Sequence, residues 1–101
     1  MLELFDLSNK TVVITGATGS LGGAIADGFA AAGAKVGILS RSEEKVNAKV
    51  ETINQSGGIA LGLKGDVLDR MDLETAKLKL LESWGRTDIL INVAGGNMAG
   101  A

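Results

Sequence analysis

With 101 residues, 46% of them hydrophobic and 22% charged, the chain has the size and composition of one globular domain. A net charge of −2 excludes a broadly basic surface for nucleic acid. The absence of cysteine excludes disulfides and thiolate metal sites, and with no His and no Tyr the common proton carriers are missing too. The first ten residues carry Glu3 and Asp6 and no long apolar run, unlike a signal peptide. The most apolar region, Leu21 to Leu39, is broken by Asp27, Lys35 and several glycines, so it reads as helix, turn and strand and not as a membrane span. A cytoplasmic protein without metal, membrane or nucleic-acid partners is expected.

The β-branched run Thr11–Thr15 predicts a strand buried on both faces. A helix follows, with Leu21, Ile25, Gly28, Phe29 and Ala32 as its expected apolar stripe and Gly33 as its C-terminal stop. Lys35–Ser40 reads as a second strand. Ser42 is placed to cap the next helix, with Glu43 and Glu44 in its first turn, where the helix dipole favours acids. Val46, Val50 and Ile53 form its stripe, and Gly57-Gly58 breaks it. Ile59–Lys64 is a third strand. Asp72 is the expected cap of a third helix bearing Leu73, Ala76, Leu80 and Trp84, and Asp88–Val93 is the fourth strand. This βαβαβαβ order implies an α/β fold, a parallel sheet with right-handed crossovers. The expected strand order is 3-2-1-4, half of a doubly wound Rossmann sheet.

In such a sheet a ligand sits beyond the carboxyl ends of the strands, where the order reverses. Four features fall on that edge. The loop TGATGSLG, Thr15 to Gly22, has the glycines of a phosphate cradle at a helix N-terminus; the same glycines also suit a plain packed turn. No Lys-Ser or Lys-Thr pair follows them, which excludes a Walker loop. Ser40-Arg41 ends the second strand, where an acid would grip the ribose 2′-hydroxyl of NAD. A guanidinium there forks onto a 2′-phosphate, with Lys45 nearby, or else pairs with Glu44 on the surface. In GDVLD, Gly65 to Asp69, Asp66 either accepts from an adenine amino group or caps a turn. INVAGG, Ile91 to Gly96, supplies small residues for a close ribose approach, or simply ends a strand.

As a set, in this order and spacing, the four motifs resemble the short-chain dehydrogenases/reductases across nearly the whole chain. The resemblance implies that Gly16, Thr18, Gly19, Ser20, Leu21 and Gly22 line the pyrophosphate and that Ser40 and Arg41 meet the 2′-phosphate. It also implies that Asp66 and Val67 hold adenine, and that Asn92, Ala94 and Gly95 lie along the inner ribose. NADP(H) is then favoured over NAD(H). Two departures stand out. The loop fits TGxxGxxG, with Ser20 where the common pattern has glycine, as in the extended, sugar-nucleotide branch; Gly19 also stands where NADP-preferring members often carry a basic residue. In the fourth motif Val93 replaces a second Asn. The ending AGGNMAGA is similar to sugar-acid oxidoreductases of the mannonate/fructuronate type.

The family's catalytic Ser, Tyr and Lys have no counterpart in these residues. The chain is therefore expected to be a single cofactor-binding segment, residues 1–101, truncated after the fourth strand. It would be inactive alone, prone to self-association through its apolar fourth strand, and a homo-oligomer acting on a small molecule only within a longer parent. A non-catalytic dinucleotide-binding module and an extended-branch epimerase or reductase are the alternatives.

Overall fold

The computed structural model describes residues 7–66 and 68–93. The chain alternates β1 (Thr11–Thr15), α1 (Ser20–Ala31), β2 (Lys35–Ser40), α2 (Glu43–Gln55), β3 (Ile59–Lys64), α3 (Arg70–Trp84) and β4 (Ile89–Asn92). The strands form one parallel sheet in the order β3-β2-β1-β4, as the sequence implies. The first three strands have the expected bounds, whereas β4 is shorter than Asp88–Val93 by one residue at each end. None of the helices among the described residues is long and apolar enough to cross a membrane.

Strand alternation sorts the core into two layers. Val12, Ile14, Val36 and Ile38 face α1 and α2, where they meet Ala26, Val46 and Ile53, with Ile89, Ile91 and Phe29 packed at the margin. Val13, Leu39 and Leu63 face α3, where they meet Ala76 and Leu80. Each fully buried branched side chain contributes on the order of 1.5–3 kcal/mol, so the first layer holds the sheet together. The second layer is thinner. Beside α3 a cleft of about 380 Å3, lined by Val13, Leu39, Leu73, Ala76, Leu80 and Leu90 among others, stays open along β4. Leu90 is 68% exposed there, and β4 is an edge strand among the described residues.

Two expectations about the helices are corrected. The buried stripe of α1 is Gly22, Gly23 and Ala26, with Ile25 and Phe29 half-buried, while Leu21 and Gly28 are exposed. The helix comes so close to the β1 turn that only hydrogen atoms fit between them, and its larger side chains are turned off that contact. The cap of α3 is Asp69, not Asp72: its Oδ1 accepts from the Met71 and Asp72 amides at 2.8 and 3.3 Å. Asp72 instead accepts the Asp66 amide at 2.9 Å, which ties the β3–α3 loop to the helix. Ser42 caps α2 as expected, accepting from the Lys45 amide at 3.3 Å, and Gly33 follows α1 with a φ of 97°.

At the other end of the sheet, Asp88 fastens β4 to β1. Its Oδ2 accepts the Thr11 amide at 2.8 Å and its own amide donates to the Thr11 carbonyl at 2.9 Å. Arg86 donates to Oδ1 from Nη2 at 2.6 Å and from Nε at 3.1 Å. The Thr11 amide and the Arg86 guanidinium hold this carboxyl below its ordinary value of 3.8. A depressed folded value means that the unfolded chain takes the proton first as pH falls. The stabilisation is complete above 3.8 and is lost as pH drops through the lowered folded value. Asp88→Asn is therefore expected to lower the urea midpoint near neutral pH, with the gap to the parent closing under acid. Equilibrium unfolding across that range checks it, and a gap that stays constant into strong acid counts against a charge-dependent clasp.

Candidate nucleotide-binding edge

The turn after β1 is built by absent side chains. Gly16 holds a φ of 77°, the left-handed region that favours glycine. At Gly22 a Cβ would lie 2.6 Å from the Gly16 carbonyl carbon and closer still to its oxygen, so backbone meets backbone with no room for a methyl group. Gly19 differs from both. It is the N-cap of α1 with extended backbone (φ −91°, ψ 179°), and a Cβ there would meet only the Gly16 oxygen at 3.6 Å, an ordinary contact. Nothing within the described fold requires glycine at this position.

The start of α1 is correspondingly open. No side chain caps it and no acid stands in its first turn, in contrast to α2 and α3, which have both. The first amides of a helix have no intrahelical acceptor and carry the positive end of the dipole. At this end of α1 they emerge among Thr18, Gly19, Ser20 and Leu21, of which the last three are exposed and Thr18 is half-buried.

The end of β2 lies beside this loop. The Ser40 hydroxyl accepts the Ser42 amide at 3.3 Å, and the Ser40 carbonyl accepts the Gly65 amide at 2.9 Å, which draws the ends of β2 and β3 together. Arg41 is exposed and makes no ion pair among the described residues, so the surface pairing with Glu44 is not formed. Asp66 is half-buried and does cap a turn, its Oδ1 accepting the Leu68 amide at 2.9 Å. That bond engages one carboxylate oxygen. Val67 lies outside the described residues.

At the reversal point the Thr15 hydroxyl donates to Asn92 Oδ1 at 2.7 Å, and the Thr15 carbonyl accepts the Val93 amide at 3.1 Å. Thr15 is only 4% exposed. It opens the glycine motif without an expected contact of its own, yet it fixes the Asn92 side chain from the neighbouring strand, through the register that pairs the two residues. Ala94 and Gly95 lie outside the described residues. The structure thus gathers Gly16 to Gly22, Ser40, Arg41, Asp66 and Asn92 on one edge of the sheet.

Residues 10–101 match the family model for short chain dehydrogenase. An uncharacterized oxidoreductase of Bacillus subtilis (strain 168), UxuB, is 50% identical over 92 residues, covering 91% of this chain and 33% of that protein. The L-sorbose reductase of Gluconobacter frateurii, solved with NADPH and L-sorbose, superposes with a TM-score of 0.85 at 30% identity, over 90% of this chain and 35% of that one. A Haemophilus influenzae protein assigned as a D-mannonate oxidoreductase, solved with bound NAD, gives 0.82 at 31% identity, over 88% and 32%. The chain spans about a third of the length of the curated relatives it matches.

The glycine geometry separates fold from ligand. Gly22→Ala is expected to cost about 1–3 kcal/mol or more, the usual result of forcing a methyl group into filled space. Gly19→Ala is expected to cost well under that. Thermal or urea unfolding of both variants checks the order; equal losses would mean that the helix can move away from the turn.

Proposed function

The chain belongs to the short-chain dehydrogenase family, and on that basis we propose that residues 1–101 are the dinucleotide-binding segment of an NADP(H)-dependent oxidoreductase. The reaction interconverts an alcohol and a carbonyl, with a sugar acid as the favoured substrate class. The observation that carries this reading is Gly19, a glycine that neither backbone angle nor packing explains, at the mouth of a helix with no cap of its own. A pyrophosphate seated there supplies both the close approach and the missing acceptor. The amides of Ser20, Leu21 and Gly22 donate to its oxygens, and Thr18 and Ser20 add hydroxyls. Val67, Ala94 and Gly95 complete the proposed set beside adenine and the inner ribose.

The other groups follow from this placement. Asp66 has one oxygen engaged in its turn and offers the other to the adenine amino group. Asn92, held by Thr15, stands where the inner ribose comes over β4. Arg41 forks onto the 2′-phosphate, while Ser40 holds the Ser42 amide and so fixes the shape of the loop that carries Arg41. When bound, the cofactor supplies or accepts the hydride; this chain binds and orients it. With no Tyr and no His, no proton-transferring residue is assigned within these residues, and the 101-residue chain by itself is expected to show no turnover.

Both cofactors occur among the structural neighbours, NADPH in one and NAD in another, so the preference rests on Arg41. The sugar-acid assignment rests on the similarity to a protein assigned as a D-mannonate oxidoreductase and on the AGGN sequence after β4. Two substitutions test the cofactor reading in titrations of the purified protein with NADP and NAD. Arg41→Ala removes charge-assisted bonds of about 1.5–3 kcal/mol and is expected to weaken NADP by roughly 10–100-fold while sparing NAD. Gly19→Asp gives α1 the cap it lacks, so stability should hold or rise by a few tenths of a kcal/mol, while like charge expels both dinucleotides. Unchanged binding in Gly19→Asp, or equal weakening of both cofactors in Arg41→Ala, overturns the corresponding assignment.

A further inference from the structure

Resting on the dinucleotide reading of this edge, we propose that Lys64, the last residue of β3, is a second cation of the 2′-phosphate subsite and sets cofactor preference jointly with Arg41. The register pairs Lys64 with Ser40 across adjacent strands. The alternation of both strands fixes the side. A Cβ on Gly62 would touch Val46 and Val50 of α2, whereas Leu63 packs with Ala76 and Leu80 against α3. Lys64 is two residues after Gly62 and so emerges on the α2 side. In β2, Ile38 packs with Val46 on that same side and Leu39 on the other, which puts Ser40 on the α2 side as well. Paired strands lie about 4.8 Å apart, and a lysine stem of four methylenes spans that gap. The ammonium therefore reaches the space above Ser40 at the start of α2.

Charge gives the lysine its consequence. Four charged residues lie around the β2–α2 turn: Arg41, Glu43, Glu44 and Lys45. Arg41 and Lys45 only cancel the two glutamates, so without Lys64 the turn is neutral towards a phosphate that carries roughly −1.5 to −2. Asp66, just beyond β3, adds a further negative charge from the loop side. Lys64 offsets it, so that three cations stand against three carboxylates and the phosphate does not meet a net negative surface. The competing role for a lysine on an edge strand is to block pairing with other chains. That role is already filled on β3: Lys79 Nζ donates to the Gly62 carbonyl at 2.9 Å, and Asn54 Oδ1 accepts the Ala60 amide at 2.9 Å. Lys64 is exposed and makes no ion pair among the described residues.

The test is Lys64→Met, which keeps the stem and removes the charge, with Lys64→Arg as the charge-preserving control. Binding of NADP, NAD, 2′-phosphorylated ADP-ribose fragments and 5′-AMP is titrated at low and high salt. Lys64→Met is expected to weaken NADP and the 2′-phosphorylated fragment by about 3- to 10-fold, between the effect of an exposed ion pair and that of a charged hydrogen bond. It should flatten their salt dependence and leave NAD and 5′-AMP unchanged, while Lys64→Arg retains NADP affinity. If Lys64→Met weakens nothing, or weakens NAD and NADP alike, the inference is overturned even where Arg41→Ala behaves as a 2′-phosphate contact. If the parent protein binds neither dinucleotide, the dinucleotide reading falls, and this inference with it. A melting temperature for Lys64→Met equal to that of the parent confirms that only the charge was changed.

Discussion

The edge of the sheet depends on the approach of Gly22 to the carbonyl of Gly16. That contact sets how near the start of α1 stands to the end of β1, and hence where the first free amides of the helix point. A side chain at Gly22 would push the helix outward and scatter those donors. The closeness also explains the unusual core of α1. A helix buried through Gly22, Gly23 and Ala26 buries little apolar area of its own, and Leu21 is left 66% exposed at the mouth of the loop. Glycine in a helix interior costs roughly 0.5–1 kcal/mol relative to alanine. The sequence accepts that cost at Gly22 and Gly23, where an added Cβ would press on the backbone of Gly16 and Ala17.

Around this fixed point the other strand ends act as a set. Thr15 ties β1 to Asn92 on β4, and the Ser40 carbonyl ties β2 to Gly65 after β3. These cross-strand bonds align the carboxyl ends of the four strands on one edge. A ligand spanning that line meets uncapped amides at its centre, a carboxylate and two cations towards β3, and a fixed amide side chain towards β4. This polarity suits an elongated molecule with an anionic middle, and a dinucleotide has that form. The opposite end of the sheet is organised differently, with Asp88 saturated by Thr11 and Arg86.

Much of the fold was legible because it rests on local pattern. The β-branched run of β1, the KVGILS and IALGLK strands and the serine cap of α2 each carry their signal within a few residues, and they fall where expected. The parallel order follows from the alternation of elements. What escaped depends on distance through space. The stripe of α1 was misassigned because periodicity rewards large apolar residues, while this helix packs through its smallest ones. Asp69 and Asp72 are both good caps in sequence; the choice turned on Asp72 being needed by the Asp66 amide. The Thr15–Asn92 bond joins residues far apart in the chain, and no spacing rule links them.

On the proposed reading this edge, and not another surface, receives a dinucleotide through the uncapped start of α1. Amide chemical-shift mapping by NMR during a titration with NADP tests it most directly, because the proposed donors are themselves the reporters. The largest shifts are expected at Gly19 to Gly22, a second group at Ser40 to Lys45 with Lys64 and Asp66, and near silence at the opposite end, at Ser8, Lys35, Trp84 and Arg86. Shifts concentrated at that opposite end, where those residues line a separate pocket, or spread without pattern over the whole sheet, would contradict it.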